Sequence, residues 1–239
     1  MAIKEYEGLK YFALWLTIIH CISKIIQIYN KRNKVVWFKL HSITNCISLV
    51  FALPDTVDFF CEPLHPARDA LSFQPMYIIM SLHLYQILAS TTFFGNFKLN
   101  SLDWIHHIIM CAILCFPFFD HTAIEFSNAL TFFVNGLPGA IDYWLIAQVY
   151  EGRISQNQEK HWNSYLNVYL RSPGILYLIS TGYIRYKAGL YGNPYLLIIS
   201  TVILFWNAQF FMQIVVYSYG KSKKMPKISS MPDLRQTNY

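Results

Sequence analysis

The residues best suited to chemistry lie in one short run, Asn100-Ser101-Leu102-Asp103-Trp104-Ile105-His106-His107. Imidazole can act as nucleophile and as general base near neutral pH, so adjacent histidines form a candidate centre for group or proton transfer. In a helix, Asp103 precedes His106 and His107 by three and four residues and shares their face. Its carboxylate can orient a ring and raise its basicity. Asn100 followed by Asp103 also has the form of a helix start, with the acid where the helix dipole favours it. A capping role and a catalytic role for Asp103 both fit this pattern. His107, Cys111 and Cys115 fall on one helix face, but ligands in a single stripe cannot surround a zinc ion. The five cysteines are scattered and contain no CxxC pair, so neither a metal site nor a disulfide framework is expected.

These residues must be positioned by an apolar chain. Of 239 residues, 54% are hydrophobic and 13% are charged, against about 25% charged in a typical soluble domain. Apolar stretches recur along the whole length, many reaching the ~17–25 residues that a spanning helix needs. The expected fold is all-α, a polytopic transmembrane bundle of about seven spans, or six with one segment re-entrant. The spans are placed near Gly8–Tyr29, Val35–Leu53, Pro75–Phe93, Leu102–Phe119, Glu125–Tyr150, Tyr165–Tyr183 and Pro194–Tyr219. Breakers separate them, among them Asn30-Lys31-Arg32-Asn33-Lys34, Glu62-Pro63-Leu64-His65-Pro66, Gly95-Asn96 and Gly192-Asn193-Pro194. Residues 1–220 read as one domain and 221–239 as a basic, disordered tail. The first segment lacks a basic leader and a small-residue cleavage site and is expected to remain as a span. The 17 tyrosines and 18 phenylalanines suit two interfacial aromatic belts.

The net charge of +6 is topology information. It is not accompanied by the interleaved pattern of a nucleic-acid surface. Lys31, Arg32 and Lys34 in the first loop lie on the same side as the tail, with its Lys221, Lys223, Lys224, Lys227 and Arg235. The second loop, with Asp55, Asp58, Glu62 and Asp69 against Arg68, is acidic. The positive-inside rule therefore puts the N-terminus outside and the C-terminus in the cytoplasm. Arg185 and Lys187 vote the other way and are outnumbered.

Residues three, four or seven apart share a helix face, and nearly every span carries a polar line of that kind. Thr17, His20, Lys24 and Gln27 mark the first span, His41, Asn45 and Ser48 the second, and His83, Gln86 and Ser90 the third. Asn128, Asn135 and Asp142 follow in the fifth, Asn163, Asn167 and Arg171 in the sixth, Gln209 and Gln213 in the seventh. Facing lipid would be costly, so these lines are expected to face inward, as interhelical contacts or as a wet cavity. Asn135-Gly136-Leu137-Pro138-Gly139 should interrupt the fifth span at depth, where freed carbonyls are tolerated only inside protein or on a cavity wall. Arg171, just before Pro173-Gly174, is the expected counter-charge of Asp142, as a structural ion pair or as part of a ligand site.

The run Leu99–His107 resembles the signature helix of the TLC-domain (TRAM/LAG1/CLN8) membrane proteins. Glu125-Phe126-Ser127 and Leu137-Pro138-Gly139-Ala140-Ile141-Asp142-Tyr143 follow in the family's order, and the resemblance covers roughly residues 34–219. It implies a multi-pass protein of the endoplasmic reticulum or another endomembrane, concerned with lipid metabolism or lipid homeostasis. By likeness to the ceramide-synthase branch, His106 and His107, with Asp103, would hold catalytic positions for acyl transfer from acyl-CoA. Asp142, Asn135, Arg171, His83 and Glu125 would line the ligand site. The sequence departs from that branch after the histidines, where Ile108-Ile109-Met110-Cys111-Ala112-Ile113-Leu114-Cys115 replaces small hydroxyl residues. The chain is therefore placed among the smaller members of the family.

Three uses of such an interior remain open: an acyltransferase taking acyl-CoA, a non-enzymatic lipid sensor or regulator, and a small-molecule transporter built on a broken fifth span. No cofactor is required by any of them, and the partners implied are membrane lipids. A retinal protein is excluded by the lack of lysine in the seventh segment, and no receptor-type DRY or NPxxY pattern occurs.

Overall fold

A computed structural model describes residues 2–64, 73–90, 99, 101–108, 124–190 and 194–223. Among them there is no strand. The helices are α1 (Ala2–Tyr29), α2 (Asn33–Cys61), α3 (Gln74–Ser90), α4 (Ser101–Ile108), α5 (Ile124–Thr131), α6 (Leu137–Tyr150), α7 (Gln156–Tyr165), α8 (Ser172–Lys187) and α9 (Pro194–Ser222). A π-helical turn at Phe132–Gly136 joins α5 to α6, and a second at Leu166–Arg171 joins α7 to α8. The described residues therefore form seven continuous rods, in the order of the seven apolar segments. Three helices are long and apolar enough to cross a membrane: Gly8–Tyr29, Asn33–Cys61 and Thr201–Ser222. The expected Asn100 cap, Cys111, Cys115 and the tail beyond residue 223 lie outside the described residues.

The rod α2 is central and packs against α1, α3, α5, α6 and the first π turn, while α9 packs on the α7–α8 rod. Two apolar clusters hold this arrangement. Ile19, Val36, Leu40, Leu82 and Tyr85 join α1, α2 and α3. Phe59, Phe126, Phe133, Ile175, Leu178 and Leu204 join α2, α5, the first π turn, α8 and α9. Apolar side chains also cover outward faces, such as Leu14, Ile25 and Ile28 on α1 and Val202, Phe205 and Trp206 on α9. That distribution suits helices whose surroundings are as apolar as their contacts.

The two π turns have one cause. Proline has no N–H to give the ladder, and its ring collides with the carbonyl one turn back. Pro138 and Pro173 each sit two residues after a widened turn. There Leu137 N–H reaches Phe132 O and Ser172 N–H reaches Asn167 O, five residues back instead of four. The extra residue per turn gives the ring room. The expected interruption of the fifth span is thus replaced by a continuous rod, because the helix absorbs the proline by widening.

The glycine after each proline sits at a helix crossing. A Cβ on Gly139 would lie 2.8 Å from Asn45 Nδ2, and one on Gly174 would lie 2.0 Å from Phe133 Cδ1. Beside Gly139, Ser42 Oγ donates to Ala140 O at 2.8 Å, so α2 and α6 touch backbone to side chain.

The rod ends gather in two groups. Arg32 Nη1 donates to Tyr150 O at 2.7 Å, Lys39 pairs with Glu151, and Arg153 Nε lies 3.3 Å from the same carboxylate. This end joins the start of α2 to the end of α6. Nearby on the α7–α8 rod and α9, His161 Nδ1 and the Tyr219 hydroxyl are 2.7 Å apart. At another end, Arg185 Nε donates to Pro63 O at 2.6 Å and its guanidinium lies 4.5 Å from the Phe59 ring centroid.

Two expectations change here. The helix α2 runs on to Cys61, so Asp55 and Asp58 are helical and not part of an acidic loop. Asp55 is buried and accepts from Asn128 Nδ2 at 2.5 Å. The polar line of α1 is split: Thr17 and Lys24 are exposed, with Thr17 Oγ1 donating to its own helix at Ala13 O, whereas His20 is half-buried with its ring 6.0 Å from that of buried Tyr85.

The glycine crossings give a sign test. Gly174→Ala should lower stability by about 1–3 kcal/mol, because the new methyl meets an aromatic ring that is itself in the core. Gly220→Ala in α9, where a Cβ meets nothing within 4 Å, should be neutral or stabilising by up to about 1 kcal/mol through helix propensity. Thermal unfolding of both variants in the same detergent checks the contrast, and equal effects would show that the crossing at Gly174 is not tight.

Candidate functional site

The structure brings together four of the protein's eight histidines from three helices. His41 lies on α2, His83 on α3, and His106 and His107 on α4. Each helix enters from an end of the bundle. At a rise of about 1.5 Å per residue, His41 and His107 lie roughly 12 and 9 Å from the starts of α2 and α4, and His83 roughly 10 Å from the end of α3. Tyr143 on α6 lies at the same depth from Tyr150, whose carbonyl is bound by Arg32.

His83 Nδ1 and His107 Nδ1 are 2.8 Å apart, and both rings are buried. His106 is half-buried and meets them edge-on, with centroids 5.4 Å from His83 and 5.5 Å from His107. His41 is packed between Trp37 at 4.1 Å and Tyr143 at 4.4 Å, within electrostatic reach of His106 and His107. Its Nδ1 is buried and has no hydrogen-bond partner among the described residues. The sequence reading treats His41 only as a member of a polar line. The signal available was its place four residues after Trp37 and one before the interhelical contact of Ser42, and that signal needs the partner helix to be interpreted.

A second polar group continues from Tyr143 towards the α7–α8 rod. Asp103, Asp142 and Arg171 all lie within electrostatic reach of Tyr143. Arg171 Nη1 donates to Asn167 Oδ1 at 3.0 Å, Asn167 Nδ2 donates to Asn163 Oδ1 at 2.7 Å, and Asn163 Nδ2 donates to Glu159 Oε1 at 3.2 Å. The i, i+4 spacing expected from sequence is therefore realised as one hydrogen-bonded line. At its outer end, burial pushes the Glu159 carboxyl above the usual carboxylate range, opposed by the Asn163 amide.

Asp142 and Arg171 are within electrostatic reach of each other, but among the described residues no hydrogen bond or ion pair joins them. Asp142 Oδ1 and Arg171 Nε are buried without hydrogen-bond partners. The expected counter-charge is thus present at longer range than a salt bridge. Arg171 is the last residue of the second π turn, and its Nη1 is engaged by Asn167.

The remaining predicted residues fall apart from this group. Asn135 is half-buried in the first π turn and makes no hydrogen bond among the described residues. Glu125 lies in α5, but its side chain lies outside the described residues. Asn128 is engaged with Asp55 instead of continuing the line to Asp142, because the π turn inserted between them shifts the register. A groove of about 530 Å³ runs along α9 past Val202, Trp206, Gln209 and Gln213. It takes in Gln209 and Gln213, the polar line of the seventh segment, and none of the candidate catalytic or ligand-binding residues.

Among the described residues no group of three or more His, Cys, Asp or Glu side chains is arranged to hold a metal ion. Chemically, the cluster offers imidazole donors and acceptors in a low-dielectric setting, where a hydrogen bond is stronger and an unpaired polar group is costly. Comparison with models of known protein families, with curated proteins and with solved structures finds no match.

If Asp142 and Arg171 act on each other through the interior, their substitutions will not be additive. Asp142→Asn and Arg171→Gln should each destabilise the protein, while the double variant should cost less than the sum by about 0.5–3 kcal/mol. A double-mutant cycle by unfolding in detergent measures that difference. Additivity would mean that the two charges are independent.

Proposed function

We propose that this chain is a multi-pass membrane protein of the TLC type that binds a lipid or acyl chain in its interior and presents the histidine cluster to it. The observation that carries this reading is the convergence of His41, His83, His106 and His107, from three helices, at a common depth near a basic end. Histidines inside spans are rare and mark functional sites by default. Lys31, Arg32 and Lys34 at that end assign it to the cytoplasm by the positive-inside rule. The opposing vote of Arg185 is weakened because its side chain is buried against Phe59 and Pro63. The cluster would then open towards cytosolic acyl-CoA, with the protein in the endoplasmic reticulum or another endomembrane and the C-terminus cytoplasmic.

In the enzymatic form of this reading, an imidazole nitrogen of His106 or His107 attacks the thioester carbonyl of acyl-CoA. A C–N bond forms, the C–S bond breaks, and the thiolate leaves and takes up a proton. The acyl-imidazole then passes its acyl group to a hydroxyl or amine of the acceptor lipid, whose proton is taken by a neighbouring base. Asp103 would orient the ring, and Asp142 and Arg171 would hold polar groups of the acceptor. The non-enzymatic form, a lipid sensor or regulator, draws on one specific observation: His83 and His107 are only 6% and 2% exposed and already bonded to each other.

Purified protein in lipid nanodiscs, incubated with labelled acyl-CoA, separates the two. The enzymatic form expects label on histidine or in a lipid product, with a loss of about a hundredfold or more in His107→Ala. No label and no product would remove that form. Lipid that co-purifies with wild type and is lost in Asp142→Asn would then support the sensor.

A further inference from the structure

Adjacent residues on a helix point about 100° apart, so His106 and His107 cannot both address one atom from the same side. The spatial partner of His107 comes from another helix. Its Nδ1 meets His83 Nδ1 at 2.8 Å, whereas His106 touches both rings edge-on and, among the described residues, is hydrogen-bonded to neither.

We propose that His107 works with His83 instead of with its neighbour His106, and that His83 is a positioning residue that fixes the tautomer of His107. The inference rests on the reading of the cluster as the reactive site. A neutral imidazole carries one N–H and one lone pair. Two Nδ1 atoms at hydrogen-bond distance must therefore play opposite roles, one donating and the other accepting. The ring that donates through Nδ1–H keeps a bare lone pair on Nε2. The ring that accepts at Nδ1 carries N–H on its own Nε2. One contact thus forces two chemically identical side chains into different states.

The pair presents a base or nucleophile on one outward nitrogen and a proton donor on the other. A carbonyl compound placed across it would meet attack and hydrogen bonding together. The tautomer of a histidine is set by the bond its other nitrogen makes, and here that bond is supplied by α3. The contact also tolerates one added proton, which goes to the bare Nε2. It does not tolerate two, because both Nδ1 atoms would then carry hydrogens that collide.

Nitrogen NMR of the full chain in nanodiscs, with isotope-labelled histidine, reads the tautomers without any enzymatic assay. Signals are assigned by their loss in single variants. The expected spectrum has one ring of the pair in the Nδ1–H form and the other in the Nε2–H form, with a measurable coupling between the two Nδ1 nuclei across the hydrogen bond. His83→Asn, whose amide supplies a donor and an acceptor near the former Nδ1, should leave the His107 signal in place. His83→Leu should shift it, and His106→Asn should not. Both rings in the Nε2–H form, no coupling in the wild type, or a His107 signal that follows His106 and ignores His83 would each overturn the proposal. The wild-type coupling decides the matter if His83→Leu fails to fold. A tautomer pair found without acyl transfer would leave this inference standing and remove the acyltransferase form. Label on His107 with both rings in the Nε2–H form would do the reverse.

Discussion

The approach of α2 to α6 is the constraint on which the site depends. Gly139 has no side chain, and Asn45 occupies the space where one would be. Ser42 closes the same crossing by donating to Ala140 O. These two contacts lie one turn from His41 and Tyr143, so the crossing brings those rings to 4.4 Å. Between helices in an apolar medium there is little hydrophobic gain, because lipid tails are as apolar as the side chains they would replace. Close packing at small residues and interhelical hydrogen bonds take over. A larger residue at 139 would have to displace the Asn45 amide from this crossing.

The prolines serve the same geometry from the other direction. Each would break or kink a regular helix, yet both rods continue through a π turn. The widened turn inserts one residue into the helical repeat, and every side chain beyond it is rotated relative to a regular helix. Asn128 therefore faces Asp55 on α2, while Asp142, beyond the π turn, faces the interior near Arg171. Gly174, just after the second π turn, rests on Phe133 inside the first. The two irregular turns pack on each other. At each turn a five-residue bond, Leu137 N–H to Phe132 O and Ser172 N–H to Asn167 O, takes the place of a four-residue one, which suits apolar surroundings.

How much of this was legible in the sequence follows from the same physics. Local periodicity finds rods, since an apolar run of sufficient length has few other states, and the seven segments are recovered as helices within the described residues. Faces read within one turn also hold: Asn163, Asn167 and Arg171 form the line their spacing implies. The longer count of seven from Asn128 to Asn135 to Asp142 fails across the first π turn, because it assumes a constant repeat. The end of α2 was misjudged because acids look like loop residues until a partner such as Asn128 is known. The α1 line failed in part, for a different reason. Periodicity shows that Thr17 and Lys24 share a face, but nothing in one helix says which neighbour that face meets.

The histidines show the limit most sharply. Proximity in sequence makes His106 and His107 look like a pair, and a motif reading treats them as one. On a helix, sequence neighbours diverge, whereas residues from different helices can converge on a point. His41 and His83 lie 66 and 24 positions from His107, and no local pattern links them. Their meeting depends on α2 holding α3 on one side and α6 on another, with α4 seated against α3. The acid beside the cluster follows the same rule. Asp103 is near His107 by helix spacing alone, but its electrostatic reach to Tyr143 on α6 is a matter of tertiary placement. A site built from convergence across helices is therefore a property of the crossings, and the small residues at those crossings belong to it as much as the imidazoles do.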